Sequence, residues 1–315
     1  MSNPTAIIGR MLLAAFIMLL IGKPAFSEEG SIGELYSKIN VNAQLSDEGG
    51  DQFTEIRSNN SWIGVKGDVE VDDDLTVVYR LEWKVDITGE SGSDNISARP
   101  QYVGLRSKTL GELTIGRNFT PVWAPGRALD LFNHYEGDIK VLWEGENRLT
   151  DVVTYITPTF NNFRIETLYQ ADKSEGGDSA VSSALFYGDR KLKKTSLYAG
   201  IAHDFDVEDY DVTRIFARFK LAGAQIGAMY QTQEPAVGGE SENGVLLNAS
   251  YKVKNIDYKI QYQTLEDDSN FNIGLDYILS KSLKLYTWYS LIDKEDVEDK
   301  SYFALGIQYN WSFKF

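Results

Sequence analysis

The C-terminal segment of the chain alternates without a break. From Phe303 the odd positions are Phe303, Leu305, Ile307, Tyr309, Trp311, Phe313 and Phe315, and the even ones are Ala304, Gly306, Gln308, Asn310, Ser312 and Lys314. Successive side chains of a strand point to opposite faces, so this segment offers one apolar face and one that is polar or small. Length then separates two kinds of sheet. A strand in a water-soluble sandwich commonly runs about 5 to 6 residues, whereas a tilted strand crossing the hydrocarbon of a bilayer needs about 9 to 11. The segment is of the second kind, with aromatics near its ends, where an aromatic girdle meets the membrane interface.

The same period recurs along the chain. In Leu75 to Asp86 one face holds Leu75, Val77, Tyr79, Leu81, Trp83 and Val85, and in Ile256 to Thr264 one face holds Ile256, Tyr258, Ile260, Tyr262 and Thr264. Further segments start near Leu35, Ser61, Ser97, Glu112, Arg148, Asn162, Ala180, Thr195, Tyr210, Ala224, Gly244, Asn270 and Ser282, which gives about 16 strands in all. A sheet with a lipid-facing side cannot leave unpaired N–H and C=O groups along a free edge, so it must close on itself. The expected fold is therefore all-β, one transmembrane antiparallel β-barrel. At about 16 strands its lumen is too wide for side chains to fill, and water occupies it. The opposite faces agree, because Lys, Arg, Asp, Glu, Gln and Asn recur there and would be costly in a dry core without partners.

Loops between these segments are expected at Ser46 to Arg57, Thr88 to Asn95, Asp172 to Ser179, Glu234 to Glu242 and Asp293 to Lys300, all acidic or rich in glycine. The longest stretch without alternation runs from about Asn118 to Asn147. A connection of that size in a compact domain is usually functional.

Composition limits the alternatives. Mean hydropathy is −0.29, too polar for a bundle of membrane-spanning helices. The one strongly apolar run, Met11 to Ile21, follows Arg10 and precedes Gly22, Pro24 and Ala25-Phe26-Ser27. That is the layout of a secretory signal peptide with cleavage after Ser27, leaving residues 28–315 as the barrel. The chain has no cysteine, so disulfides, thiolate metal sites and cysteine nucleophiles are excluded. A formal net charge of −15 argues against nucleic acid as a partner and fits a channel that draws in cations.

Catalysis and metal binding find little support. Only two histidines exist, His134 and His203. A barrel hydrolase of the phospholipase type would need one of them beside a serine and an orienting group; His203 falls on an outward parity, but no signature surrounds it. His134 in the long stretch reads as a group titrating near neutrality. Asp72-Asp73-Asp74 reads as a short turn, and Asp204, Asp206, Glu208, Asp209 and Asp211 as a solvated hairpin tip; neither has the spacing of a calcium loop. No cofactor and no metal is expected.

Several motifs in order resemble the general, non-specific trimeric porins of Gram-negative bacterial outer membranes. They are Leu35-Tyr-Ser-Lys38, Ile63-Gly-Val-Lys-Gly67, Tyr102-Val-Gly-Leu105, Gly116-Arg-Asn118 and the terminal Phe315 with its aromatic strand. The resemblance implies a homotrimer in outer-membrane lipid and lipopolysaccharide, assembled by the barrel assembly machinery that reads Phe315. It also implies a third loop folded into the lumen and passive diffusion of small hydrophilic solutes and ions. At the constriction of such porins basic wall residues face acids of that loop. Carried over, the wall is Lys38, Arg99 and Arg148, with Arg80 on a neighbouring strand, and the loop acids are Asp130, Glu136 and Asp138. Trp62 stands where many members have an inward arginine, and His134 where some have a glutamate. With those acids in the bore, a mild cation preference is expected. The alternatives are a solute-specific channel, for which no aromatic ladder is evident, a barrel hydrolase, or a closed structural barrel.

Overall fold

A computed structural model describes residues 33–89, 95–172, 179–295 and 297–315; the expected leader, 1–27, lies outside them. The strands are β1 Glu34–Glu48, β2 Asp51–Ser58, β3 Trp62–Glu70, β4 Leu75–Val85, β5 Ile96–Ser107 and β6 Gly111–Phe119. A short helix α1, Trp123–Leu129, and one 3-10 turn, Ile139–Val141, precede β7 Arg148–Ile156, β8 Phe163–Gln170, β9 Ala180–Gly188, β10 Leu197–Val207 and β11 Tyr210–Leu221. The chain ends with β12 Ala224–Pro235, β13 Glu242–Val253, β14 Ile256–Leu265, β15 Asp268–Ile278, β16 Leu283–Lys294 and β17 Val297–Lys314.

Every neighbouring pair is antiparallel, and β17 returns to β1 in register from Glu34↔Lys314 to Glu48↔Lys300. The sheet is closed. Both β2 and β3 pair with β1, at Val41↔Ser58 and Lys38↔Trp62 respectively, so they are one wall strand interrupted at Asn59–Ser61. The wall therefore has 16 strands, as the alternation predicts. No helix of the described residues is long and apolar enough to cross a membrane, and the crossing elements are the strands themselves.

Two expected loops are strand instead. Ser46 to Arg57 is a hairpin between β1 and β2 that turns on Gly49 and Gly50, with φ of 68° and 87°. Two successive positive φ values give the turn whose twist matches a hairpin, and glycine adopts them at no steric cost. Asp293 to Lys300 likewise belongs mostly to β16 and β17. Charged residues at the rim obscured the alternation in both places. The Asp72 turn is present: its carboxylate accepts from the N–H of Asp74 and of Leu75, at 2.9 and 2.8 Å.

The outer face is apolar and exposed, as at Leu45, Val103, Ile215, Ile273 and Leu305. The packed core lies inside the barrel, beneath the segment between β6 and β7. There Val122, Leu129, Ile139 and Trp143 of that segment pack on Phe186, Tyr198, Phe216, Met229 and Leu246 of the wall. Phe132 and Tyr135 pack on Tyr286 and Trp288. At Gly244 the wall makes room, since a Cβ there would come within 2.5 Å of Trp143 Nε1.

Candidate pore constriction

The long stretch without alternation folds into the lumen as expected, and an array of wall amides seats it. Gln263 donates to Ile139 O at 2.7 Å, Asn270 and Asn272 donate to Gly137 O at 3.1 and 3.2 Å, and Asn248 donates to Leu129 O at 2.5 Å. The Leu131 N–H donates to Gln261 Oε1 at 2.8 Å. These amides are almost fully buried, so each bond satisfies a loop backbone group that has lost water. The root of the loop is held by Arg214, fully buried on β11. Its guanidinium donates to Val122 O at 2.9 Å, Glu144 O at 2.7 Å, Gln231 Oε1 at 2.6 Å and Glu146 Oε1 at 2.6 Å.

The loop acids divide. Asp130 accepts from Phe132 N, Gln261 Nε2 and Ile139 N at 2.9, 2.9 and 3.0 Å. Asp138 accepts from Lys140 N at 3.0 Å and His134 N at 2.5 Å. With 7% and 2% of their surface exposed, both carboxylates hold the loop's own backbone together, and Asp138, with Glu146, also borders the smaller of the two cavities at this site. Burial and the charge of Asp138 push Asp130 up to about 7. Glu136 reaches across instead, 3.2 Å from Arg57 Nη2 on the wall.

On the facing wall, Glu82 is fully buried and takes both Arg99 Nε and Arg80 Nη2 at 2.5 Å, with the Tyr36 hydroxyl at 2.9 Å. Arg99 also donates to Asn60 Oδ1 at 2.7 Å, and Asn60 Nδ2 stands 2.9 Å from a ring nitrogen of His134. The break between β2 and β3 thus joins the wall to the loop tip. Burial, then the charges of Lys38, Arg99, Lys140 and Arg127, hold His134 well below its ordinary value, so it is neutral at neutral pH, against the sequence expectation.

Lys38 stands 5.9 Å over Trp62, and Arg148 donates to Ala98 O at 3.2 Å and lies 5.1 Å over Phe119. Arg127, which the sequence reading did not single out, is exposed and lies 5.2 Å over Trp123. Among the described residues none of these three cations has a carboxylate within ion-pair distance. Two cavities meet here. One of about 470 Å³ is lined by Arg57, Asn60, Arg99, His134, Glu136 and Arg148. The other, about 860 Å³, is lined by Arg80, Tyr102, Arg164, Arg190 and Lys191, and Phe119 and Trp123 border both.

The hydrolase reading fares differently. His203 Nδ1 lies 2.7 Å from Thr213 Oγ1. The nearest cross-strand serine, Ser183, engages Thr167 Oγ1 at 3.2 Å. Asp204 departs from the expected solvated tip, for it is fully buried.

A closed sheet with an apolar outer face, a charged bore and an inserted loop defines a transmembrane channel barrel. The model of the Gram-negative porin family matches residues 29–297, and the chain belongs to that family. It is 22% identical to outer membrane porin F of Xenorhabdus nematophila, over 91% of this chain and 94% of that one. It is 23% identical to the outer membrane protein YedS of Escherichia coli, over 91% and 93%. Among solved structures it resembles an anion-selective porin from Comamonas acidovorans, with a TM-score of 0.74 at 18% identity, covering 90% of this chain and all of that one. It also resembles the Salmonella typhi OmpF complex with daunomycin, with a TM-score of 0.72 at 16% identity, over 90% and 98%. The protein is an outer-membrane porin.

Proposed function

We propose that the protein is a general diffusion channel for small hydrophilic solutes and ions, and that its narrowest part favours anions. The constriction comprises Lys38, Arg80, Arg99 and Arg148 on the wall with Arg127 and Glu136 on the loop, while Asp130 and Asp138 serve the loop's own architecture. One observation carries the sign: among the described residues, Arg127 on the loop and Arg148 beside the smaller cavity lie against aromatic rings with no carboxylate within ion-pair distance. Charges between low-dielectric walls focus the local field, so unpaired guanidiniums at the narrow point outweigh acids that are tied up in ion pairs or in the loop's own backbone. The formal charge of −15, which suggests the opposite preference, is a sum over the whole chain.

The remaining parts of the reading are a homotrimer, an N-terminal leader removed after Ser27, contact with lipopolysaccharide, and delivery to the assembly machinery through Phe315. A related structure described as a trimer form of OmpT from Vibrio cholerae, with a TM-score of 0.66, supports the assembly. The test is reconstitution of the refolded chain in planar bilayers under a salt gradient. A zero-current potential of the anion sign and conductance steps in threes are expected. A cation sign overturns the selectivity, and an ion-tight bilayer overturns the channel.

A further inference from the structure

We propose that Phe119 and Trp123, which carry no charge, set the charge selectivity of the constriction by holding its guanidiniums in place. The inference deepens the anion-favouring reading above and rests on it. Phe119 ends β6 and Trp123 opens α1, and the turn between them is closed by the Trp123 N–H donating to Thr120 O at 3.1 Å. That turn stacks the two rings, with centroids 3.6 Å apart and planes within 7°. Guanidiniums lie against the pair from both strands and loop. Arg148 and Arg99 lie 5.1 and 5.9 Å from the Phe119 centroid, and Arg127 lies 5.2 Å from that of Trp123.

Like charges this close need something between them. Arg127 feels the charges of Arg190, Arg80 and Arg99, offset in part by that of Glu82, and no described carboxylate pairs with Arg127 or Arg148. An aromatic face presents the negative part of its quadrupole to a cation. The stacked rings therefore serve as an uncharged counter-surface between Arg127 on the loop and Arg148 on the wall, whereas Arg99 is also held by the Glu82 carboxylate. A carboxylate in the same place would fix the arginines equally well and cancel their field. The rings fix them and leave the field available to a passing anion.

The rings also occupy the junction of the two cavities, so the competing account is that they only narrow the passage. The double variant Phe119→Leu with Trp123→Leu keeps the formal charge and separates the accounts. Under a salt gradient the anion-to-cation permeability ratio should fall at least about twofold relative to the unaltered protein. A larger conductance with an unchanged ratio means that the rings only narrow the passage, and overturns the inference. Should that variant fail to assemble, Arg127→Lys keeps the charge on the loop and removes the planar stacking group. It should lower the ratio in the same direction, and an unchanged ratio overturns the inference, while Trp123→Phe should preserve it. The unaltered protein tests the underlying reading separately. A cation sign there rejects that reading, whereas the inference stands or falls on the difference between protein and variant.

Discussion

The inner faces of β3 to β7 and of β11 to β16 obey the same alternation and point into the same bore, yet they do different work. On the second arc the buried polar residues are mostly amides, Gln231, Gln233, Asn248, Gln261, Gln263, Asn270 and Asn272, beside Arg214, Lys259 and Asp276. On the first the polar residues include Arg80, Arg99 and Arg148, which border open cavities, with Glu82 buried between Arg80 and Arg99. An amide can donate and accept at once, which suits it to an irregular backbone that presents both N–H and C=O. A guanidinium only donates and keeps its charge, which suits it to water and to passing anions. An inward position in such a barrel is therefore not automatically a pore position.

Breaking the seated arc should have the larger effect on stability. Arg214→Met strands Glu146 and removes a donor from two loop carbonyls, of which Glu144 O keeps its bond from Gln231 Nε2, and loss of one partner from a buried pair costs about 3–5 kcal/mol. Thermal unfolding in detergent should fall accordingly, and single-channel current should become noisy as the loop root loosens. Gln261→Leu removes the acceptor for Leu131 N–H and a donor to Asp130, which should cost about 1–3 kcal/mol and leave the zero-current potential unchanged. Unchanged stability in both variants would mean that the loop does not rest on this arc.

A pH dependence sharpens the same contrast. Asp130 titrates above its ordinary carboxylate value, so the folded protein holds that proton more tightly than the unfolded chain does. Its contribution is complete below the ordinary carboxylate value and is lost as pH rises through about 7. Unfolding followed across that range should show the decline, and Asp130→Asn should make it shallower, with Asp138 and Glu146, also raised by burial, supplying the rest. An unpaired cation of the loop should show the converse pattern, a change in selectivity with little change in stability. Arg127→Ala, at an exposed position, should change stability by less than about 0.5 kcal/mol while moving the zero-current potential toward the cation side.

Much of the wall was legible in the sequence because alternation is a local property. The expected starts at Leu75, Arg148, Ala180, Tyr210, Ala224 and Ile256 coincide with those of β4, β7, β9, β11, β12 and β14. The hairpin of β1 and β2 was missed because its acidic and glycine-rich residues resemble a loop, with Phe53 and Ile56 the only large apolar residues of β2. Inside the bore, strand parity put Arg80 in the lumen, and family resemblance placed Lys38, Arg99 and Arg148 on the wall. The direction of a loop carboxylate was not legible, since Asp130 and Asp138 turn toward backbone N–H groups that only the folded loop brings near. Arg214 did leave a trace. It lies on β11 between Val212 and Phe216 at the same parity, and apolar residues facing a watery bore imply that something covers them.

The pairing of β1 with β17 has a consequence for how the molecule is made. Gly33 and Phe315 exchange backbone hydrogen bonds, at 3.2 and 3.0 Å, so the seam that shuts the cylinder joins the opening strand to the closing one. A nascent piece lacking either has two raw borders and nowhere in lipid to put them. Closure must then come late and all at once, and it depends on contacts between distant stretches of sequence, the slowest kind to find.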